Sequence, residues 1–261
     1  MIRTISNIYI ISILLFVYVI ISNPIIAQTA VEFGQDGKPK HNIFSFRVQF
    51  WQEHFKNVKK GAILVDTKTR SLHYWSRNGT EYKVFPTSVP LNEDLTRRGY
   101  TKVTKKVIGP EWRPTKKMRE RDPKLPEFMP PGPDNPLGEH SMRLSHTSYL
   151  IHGTNDITGI GIRSTSGCVS MYPSDIEALF QRTPIGTNVK IVDVPVKISK
   201  NSIGYLIESH FETKNNDIHF TKQKIDDTIS RLVKAYKFNE RQISQIRQII
   251  EENTGIPHIV R

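Results

Sequence analysis

The residue with the clearest capacity for covalent chemistry is Cys168, the only cysteine of the chain. It ends the run Thr-Ser-Gly-Cys at 165–168, and His152 lies sixteen residues upstream. A cysteine is a nucleophile when a nearby base or cation supports its thiolate. A tight turn can present Cys168 while His152 faces it from the end of a strand. We therefore predict that Cys168 is a nucleophile and His152 is its base.

The alternative for Cys168 is an inert buried thiol, which is the commonest state of an unpaired cysteine. The flanking residues favour the nucleophile. Gly167 allows a sharp turn, and the backbone N–H groups of Gly167 and Cys168 can stabilise the oxyanion of a tetrahedral intermediate. Small side chains at Ser166 and Gly167 leave room for an acyl group beside the main chain.

The segments that must position these residues predict a mainly β domain. Apolar runs bounded by turn residues indicate strands, and Asn-Gly at 78–79 indicates a tight hairpin. The predicted strands are 62–66, 71–75, 82–86, 142–144, 149–151 and 188–192. The strand at 149–151 places His152 at its end. A short helix is predicted at 174–180, after the cysteine.

A proline-rich segment interrupts this pattern. Eight of the sixteen prolines lie between Gly109 and Gly138. Loops of this length inside a compact domain are functional or disordered. Because proline lowers the entropy cost of holding one shape, we predict an ordered lid or wall beside Cys168. The alternative is a segment that only fills space on the exterior.

The two ends of the chain differ from the predicted β domain. Arg3, the apolar run 8–21, Pro24 and Ala27 have the order of a secretory signal peptide, predicted at 1–27. An uncleaved membrane anchor is the alternative, although the run is short for a spanning helix. Either interpretation predicts that the rest of the chain acts outside the cytoplasm.

The predicted organisation has four parts. The signal peptide at 1–27 is followed by a linker and lead-in at 28–57 and a catalytic domain at 58–196. Residues 197–261 form an appendage, with a strand at 205–208 and apolar residues at three- and four-residue spacings over 223–251. That spacing predicts a pair of amphipathic helices. We expect them to pack on the core, with docking on a membrane or partner as the alternative.

The chain has a formal net charge of +12. Such a charge favours anionic partners such as lipid head groups or a carboxylate-rich polymer. The sequence contains no recognisable nucleic-acid-binding motif, so we expect no nucleic acid partner. We expect membrane contact only through an uncleaved leader.

Several runs together resemble the L,D-transpeptidase catalytic domain, the YkuD-like fold of bacterial cell-wall enzymes. The matching runs are His-Gly-Thr-Asn at 152–155, Gly-Ile-Gly at 159–161, Thr-Ser-Gly-Cys-Val at 165–169, and Met171. Residues 108–115, 125–126 and 132–138 resemble the proline-rich segment of a Gram-negative subgroup. That subgroup includes enzymes that tether Braun-type lipoprotein to peptidoglycan.

The resemblance implies a β-sandwich or meander with a short helix after Cys168 and a small helical appendage. It also implies acyl transfer through a thioester in the periplasm. Cys168 would attack the carbonyl of the third residue of a peptidoglycan stem tetrapeptide, and D-Ala would leave. By analogy, the carbonyl of Gly153 would orient His152. No cofactor or metal is implied, because Cys168 and His152 lack the further ligands of a zinc site.

One departure from the family pattern concerns the residue two after the cysteine, which is Ser170 where the family usually has Arg. If that Arg holds a substrate carboxylate, Arg163 or Arg143 is the candidate replacement. The predicted substrate-binding residues are Thr154, Thr165, Ser166, Ser170, Arg163 and Arg143.

The sequence leaves the acyl acceptor open. It could be an amine of another stem peptide or the terminal Lys of an outer-membrane protein or lipoprotein, and the subgroup resemblance favours protein anchoring. A carboxypeptidase that uses water would share the same site. A non-catalytic wall-associated scaffold is the third alternative, although the intact Cys168, His152 and glycines oppose it.

Overall fold

The computed structural model describes residues 49–261 except 92–94, 147, 212, 215–216 and 219–221. The strands are β1 (Ala62–Asp66), β2 (Ser71–Trp75), β3 (Tyr82–Pro90), β4 (Gly99–Ile108), β5 (His140–Leu144), β6 (Leu150–His152), β7 (Arg163–Thr165), β8 (Val169–Met171), β9 (Asn188–Val192), β10 (Val196–Asn201), β11 (Gly204–Ser209), β12 (Thr213–Lys214), β13 (Asp217–Ile218) and β14 (His258–Val260). The helices are α1 (Lys116–Arg121), α2 (Pro173–Arg182), α3 (Lys222–Tyr236) and α4 (Glu240–Glu252). The predicted mainly β fold is confirmed.

The core of the domain is a nine-stranded sheet in the order β2-β1-β9-β4-β5-β6-β8-β3-β7. Strand β2 also pairs with β3, so the sheet closes on itself and leaves β7 attached to β3. The order departs from a simple meander, and β7 runs parallel to β3. Two further parallel pairs lie inside the sheet. Strand β9 runs parallel to β1, and β8 runs parallel to β6. The second of these parallel pairs brings the two predicted catalytic residues to one region.

Strand β1 is apolar from Ala62 to Val65 because both of its faces are covered. Ile63 and Val65 lie in the main core, which also contains residues of α2. Leu64 faces a second cluster with Phe55 and Trp75. A strand buried on two faces has no reason to alternate with polar residues. The lead-in around Phe55 therefore packs on the sheet, after a short 3-10 turn at Trp51–Glu53.

The helix predicted after the cysteine is α2. Proline at its first position suits a helix start because that N–H has no partner inside the helix. Ile176 and Leu179 of α2 are buried in the main core. The helix begins directly after β8, so its packing supports the strand that follows Cys168.

The C-terminal residues build their own small core. Strands β10, β11 and β14 form a sheet whose residues pack with α3 and α4 around Ile207, Ile246 and Ile250. A capping box at Asn239 and Gln242 starts α4. The structure contains the two predicted helices. No helix in the described ranges combines the length and apolarity that crossing a membrane requires.

Two predicted parts lie wholly or partly outside the described residues. These are the signal peptide at 1–27 and the first portion of the lead-in at 28–57. Conversely, several described elements are not among those predicted from the sequence: α1 and the strands β4, β7, β8, β10, β12, β13 and β14.

Candidate active site

Cys168 lies in the short turn that joins β7 to β8. The side chain of Thr165 ties this turn, because its hydroxyl donates to the carbonyl of Cys168 at 2.5 Å. The same oxygen accepts from the N–H of Gly167 at 3.4 Å. Gly167 has φ +142°, a region that favours glycine. A Cβ there would meet no atom within 4 Å, so backbone strain and not crowding makes glycine necessary.

His152 ends β6, where it pairs in register with Ser170 of the parallel strand β8. Its Nδ1 lies 2.5 Å from the carbonyl oxygen of Gly153. A carbonyl can only accept, so Nδ1 carries the proton and Nε2 keeps its lone pair. Nε2 faces the Ser170 hydroxyl at 3.4 Å. The neutral tautomer with a basic Nε2 is the form that a general base requires.

Before substrate binds, burial favours the uncharged forms of both Cys168 and His152. Burial lowers the pKa of His152 to about 4, although the hydrogen bond to Gly153 opposes this change. Burial also raises the pKa of Cys168 to about 11, with the backbone N–H of Leu150 and the charge of Arg143 acting in the opposite direction. At neutral pH the resting site therefore holds a thiol and an imidazole.

The resting thiol does not face His152 directly. Its Sγ donates to the carbonyl of Ser148 at 3.8 Å, and within the described residues no hydrogen bond joins it to the imidazole. Catalytic hydrogen bonds are often long or absent before substrate binds. A rotation of the thiol away from Ser148 is thus needed before its proton can pass to His152.

Close packing holds the turn that carries the Gly153 carbonyl. Gly138 has φ +62°, and a Cβ on it would lie 2.9 Å from the N atom of Thr154 and 3.1 Å from the carbonyl carbon of Gly153. Gly153 in turn packs on Ile176 of α2. The end of the proline-rich segment is therefore pressed against the backbone that orients His152.

A cavity of about 570 Å³ contains both Cys168 and His152. Its lining residues come from β3, β5, β6, β7 and β8 and from the loops around these strands. The other lining residues are Ser88, Glu111, Trp112, Arg113, Thr115, Met118, Pro136, Leu137, Arg143, Ser148, Leu150, Thr154, Asn155, Asp156, Gly159, Ser164, Thr165, Ser166 and Ser170. This size lies within the usual range of small-molecule sites.

One wall of the cavity is the proline-rich segment. It leaves the sheet after β4 and returns at β5, which pair in register at Ile108 and His140. The buried side chain of Asn135 holds the segment by donating to the carbonyls of Pro110 at 2.8 Å and Pro130 at 3.0 Å. Residues of this segment line the cavity. The structure thus places an ordered wall beside Cys168.

Helix α1 lies within this wall and contacts the turn of the cysteine. Thr115 caps the helix by accepting from the N–H of Met118 at 3.3 Å. At the other end, Arg121 Nη2 donates to the hydroxyl of Ser166 at 3.1 Å. This hydrogen bond joins the wall to the residue two positions before Cys168.

Most of the sequence-predicted residues meet in the cavity. Cys168, His152, Thr154, Thr165, Ser166, Ser170 and Arg143 line it, while Gly153 and Gly167 support it from the backbone. Arg163 is the exception, because it is not among the lining residues.

Arg163 is instead a buried partner of Asp193. Its guanidinium donates to Asp193 at 3.1 Å and to the carbonyl of Pro90 at 2.9 Å. The side chains of Arg163 and Asp193 are 8% and 1% exposed. This placement corrects the expectation that Arg163 holds a substrate carboxylate. It anchors the start of β7 to the residue that follows β9.

We expect Arg163→Met to destabilise the fold by about 2 kcal/mol, because Asp193 loses the buried charge-assisted hydrogen bond from Arg163 and keeps Lys68 at 3.7 Å and the exposed Arg98 as cations. The matched control is Arg98→Met. Arg98 reaches the same Asp193 carboxylate at 3.2 Å, but its side chain is 53% exposed. An exposed pair contributes about 1 kcal/mol or less. Urea unfolding measures both losses, and equal losses would show that burial of Arg163 contributes nothing.

Sequence reasoning missed several lining residues. Ser88 pairs in register with Ser170, and Ser148 accepts from the thiol only because the turn before β6 folds back. Asp156 could have been found from the sequence, because it lies four residues after His152, next to the histidine motif. Ser88 is distant in sequence, and its position depends on the pairing of β3 with β8.

Comparison with known proteins gives a consistent assignment. The family model of the L,D-transpeptidase catalytic domain (YkuD) matches residues 60–191. A Fuscovulum blasticum protein described as a putative L,D-transpeptidase in the ATP synthase subunits region is 44% identical over 164 residues, covering 61% of this chain and 85% of that protein. The probable L,D-transpeptidase YbiS of Escherichia coli is 36% identical, covering 75% and 66%. The probable L,D-transpeptidase ErfK/SrfK of Salmonella typhimurium is 31% identical, covering 77% and 67%.

Solved structures show a more distant likeness. An L,D-transpeptidase from Stackebrandtia nassauensis aligns with TM-score 0.40 and 20% identity, covering 55% of this chain and 61% of that one. An Enterococcus faecium L,D-transpeptidase, solved as a cysteine-to-serine mutant, aligns with TM-score 0.40 and 18% identity, covering 52% and 50%. This chain therefore spans about half to six tenths of those solved chains, a likeness too distant to support an argument about the site. The family model and the curated relatives together show that the chain belongs to the L,D-transpeptidase (YkuD) family of enzymes.

Proposed function

We propose that this protein is a cysteine L,D-transpeptidase that acts on the stem tetrapeptides of peptidoglycan. The observation that carries the proposal is the shared cavity of Cys168 and His152, with Nδ1 of His152 held by the Gly153 carbonyl and Nε2 left basic. This geometry supports transfer of an acyl group through a thioester, with His152 moving the proton at each step.

In acylation, the thiol proton passes from Cys168 to Nε2 of His152 as the sulfur attacks the substrate. The sulfur attacks the carbonyl carbon of the third stem residue, a diamino acid, and a C–S bond forms. The bond to the terminal D-Ala then breaks, and its nitrogen takes the proton from His152. Because the resting thiol has a pKa of about 11, proton transfer accompanies attack and no stable thiolate precedes it.

The turn at Gly167 and Cys168 is our proposed oxyanion site. Its N–H groups would donate to the negative oxygen that develops as sulfur attacks. The long contact from Gly167 N to Thr165, at 3.4 Å, costs little to exchange for an oxyanion. The positive φ of Gly167 keeps the turn in this conformation.

Arg143 is our proposed partner of the donor carboxylate, in place of the family arginine that Ser170 replaces. It lies on β5, lines the cavity, and acts on the charge state of Cys168. Its side chain has no ion pair within the described part of the chain. Ser170 contacts His152, so the replacement puts a hydroxyl beside the base where a cation would lower its basicity.

We place this reaction in the periplasm, after export through the leader predicted at 1–27. The acceptor is an amine, either of another stem peptide or of a terminal Lys on an outer-membrane protein or lipoprotein. The formal net charge of +12 is compatible with attraction to the carboxylates of the wall.

Incubation of the purified chain with tetrapeptide muropeptides, followed by mass spectrometry, tests this function. Crosslinked dimers, or adducts when a Lys-terminated peptide is added, are the expected products. Tripeptides alone would mean that water is the acceptor and that the enzyme is a carboxypeptidase. An absence of D-Ala release would overturn the enzymatic proposal and support a scaffold role.

We expect the wall formed by the proline-rich segment to favour transfer over hydrolysis. Replacing residues 115–127 with a short Gly-Ser linker removes α1 but keeps the backbone pairing of Trp112 with Met129. Because water competes with an amine for a thioester, the fraction of hydrolysed tripeptide should rise severalfold. Acylation by a carbapenem should remain close to that of the unaltered chain.

A milder pair of variants separates loss of the wall from loss of its contact with the cysteine turn. Arg121→Ala removes the hydrogen bond to Ser166, whereas Lys117→Ala removes a neighbouring exposed cation of the same helix. Only Arg121→Ala should increase hydrolysis. An unchanged transfer-to-hydrolysis ratio in the shortened chain would show that the segment does not exclude water.

A further inference from the structure

The charges that line the Cys168 cavity are unevenly compensated. Its charged lining residues at neutral pH are Glu111, Arg113, Arg143 and Asp156. Glu111 and Arg113 form an ion pair at 3.5 Å. Within the described residues, neither Arg143 nor Asp156 has an ionic partner. The cavity thus presents one uncompensated cation, on β5, and one uncompensated carboxylate, in the loop after β6.

The local structure holds Asp156 in place and in its charged form. The hydroxyl of Thr154 accepts from the N–H of Asp156 at 3.1 Å and donates to its carbonyl at 3.0 Å. Oδ1 of the side chain accepts from the N–H of Thr158 at 3.0 Å and from its hydroxyl at 2.5 Å. These bonds lower the pKa of Asp156. They use Oδ1 and leave Oδ2 available to a ligand.

We propose that Asp156 recognises the ammonium group of the acyl acceptor. This inference rests on the proposed transpeptidase function. Alkyl amines of the lysine type are protonated at neutral pH and arrive as cations. Among the described lining residues, Asp156 is the carboxylate without a cation, and it is exposed to the incoming amine. A charge-assisted hydrogen bond from the ammonium to Oδ2 would hold the acceptor in the cavity.

The chemistry of the transfer step separates binding from attack. The ammonium binds at Asp156 and loses one proton to solvent. The neutral nitrogen then attacks the thioester carbonyl, so a C–N bond forms and the C–S bond breaks. The remaining excess proton on nitrogen passes to Nε2 of His152 and then to the sulfur of Cys168, which restores the thiol. Asp156 therefore determines which acceptors bind and takes no part in acylation.

The test uses Asp156→Asn in the full chain. Asparagine caps a helix turn as well as aspartate does, so the bonds to Thr158 are retained while the charge is lost. The donor is a tetrapeptide muropeptide, and the two acceptors are Nα-acetyl-lysine and hydroxylamine, an amine that is uncharged at neutral pH. Asp134→Asn is the matched control, since Asp134 is an exposed carboxylate that does not line the cavity.

We expect the variant to raise KM for Nα-acetyl-lysine by about tenfold, the factor that corresponds to loss of a charge-assisted hydrogen bond. Transfer to hydroxylamine and acylation by a carbapenem should stay within about twofold of the unaltered chain. Added salt should weaken lysine transfer in the unaltered chain more than in the variant.

Two results would overturn the assignment of Asp156 alone: an unchanged KM for Nα-acetyl-lysine, or an equal loss with both acceptors. Failure of the unaltered chain to form any thioester would instead overturn the proposed function, and this inference with it. The carbapenem measurement distinguishes these cases because it reports acylation without an acceptor.

Discussion

Replacing Cys168 with serine is expected to lower the rate of covalent acylation by a carbapenem by about a thousandfold or more. A serine hydroxyl is a far weaker nucleophile than a thiol, and the neutral His152 cannot compensate for that difference. The fold should persist, because Ser and Cys are similar in volume and the thiol forms no disulfide. Intact-mass spectrometry of the protein after incubation measures the adduct, and unchanged unfolding in urea provides the control.

Thiol labelling gives an independent measurement of the same residue. Cys168 is the only cysteine of the chain, so every label reports on it. Because burial raises its pKa to about 11, alkylation by iodoacetamide should keep accelerating as the pH rises above 9. A serine variant that still forms the carbapenem adduct would exclude Cys168 as the nucleophile. A plateau of alkylation near pH 7 would show that the resting site holds a thiolate.

Replacing His152 with glutamine should reduce kcat/KM for acylation by about 10²- to 10⁴-fold, the usual contribution of a general base. The matched control is His146→Gln, since His146 lies nearby in sequence but does not line the cavity. Its activity should stay close to that of the unaltered chain. Similar losses in the two variants would indicate a general effect on folding.

The pH dependence of acylation tests the state of His152 directly. The base must be neutral, and burial lowers its pKa to about 4. Activity should therefore persist as the pH falls through 6.5 and decline only on approach to about 4. An ordinary histidine would lose activity from about pH 6.5 downwards. An acidic limb centred near 6.5 in kcat/KM would show that His152 is solvated in the working enzyme.

The basic residues around the motif show where sequence reasoning ends. The sequence offers both Arg143 and Arg163 as partners of a substrate carboxylate, and Arg163 is the nearer of the two to Cys168 along the chain. Their positions in the fold differ. Arg143 on β5 lines the cavity, whereas Arg163 at the start of β7 lies beside the buried carboxylate of Asp193. Asp193 follows β9, thirty residues further along the chain. Only the pairing of distant strands brings that acid to Arg163.

The proline-rich segment shows the same division. Its prolines were sufficient to predict an ordered wall, because a stiff chain loses little entropy when it is held. They did not predict α1, whose six residues are too few for an isolated helix to be stable in water. The helix depends on its surroundings, including the contact of Arg121 with Ser166.

The amino-acid sequence by itself predicted the candidate nucleophile and base, the glycine turn and seven of the fourteen described strands, since residue type, turn residues and polarity pattern can be judged from short stretches of chain. Tertiary structure decided the order of the closed sheet, with β9 beside β1 and β8 beside β6. It also shifted the pKa values of Cys168 and His152 through burial. It paired Glu111 with Arg113 and left Asp156 as the cavity carboxylate without a cation among the described residues. The physical reason is that side-chain polarity pattern and turn geometry are local properties. Desolvation and charge compensation depend on every segment that packs around a group, however far away it lies in the chain.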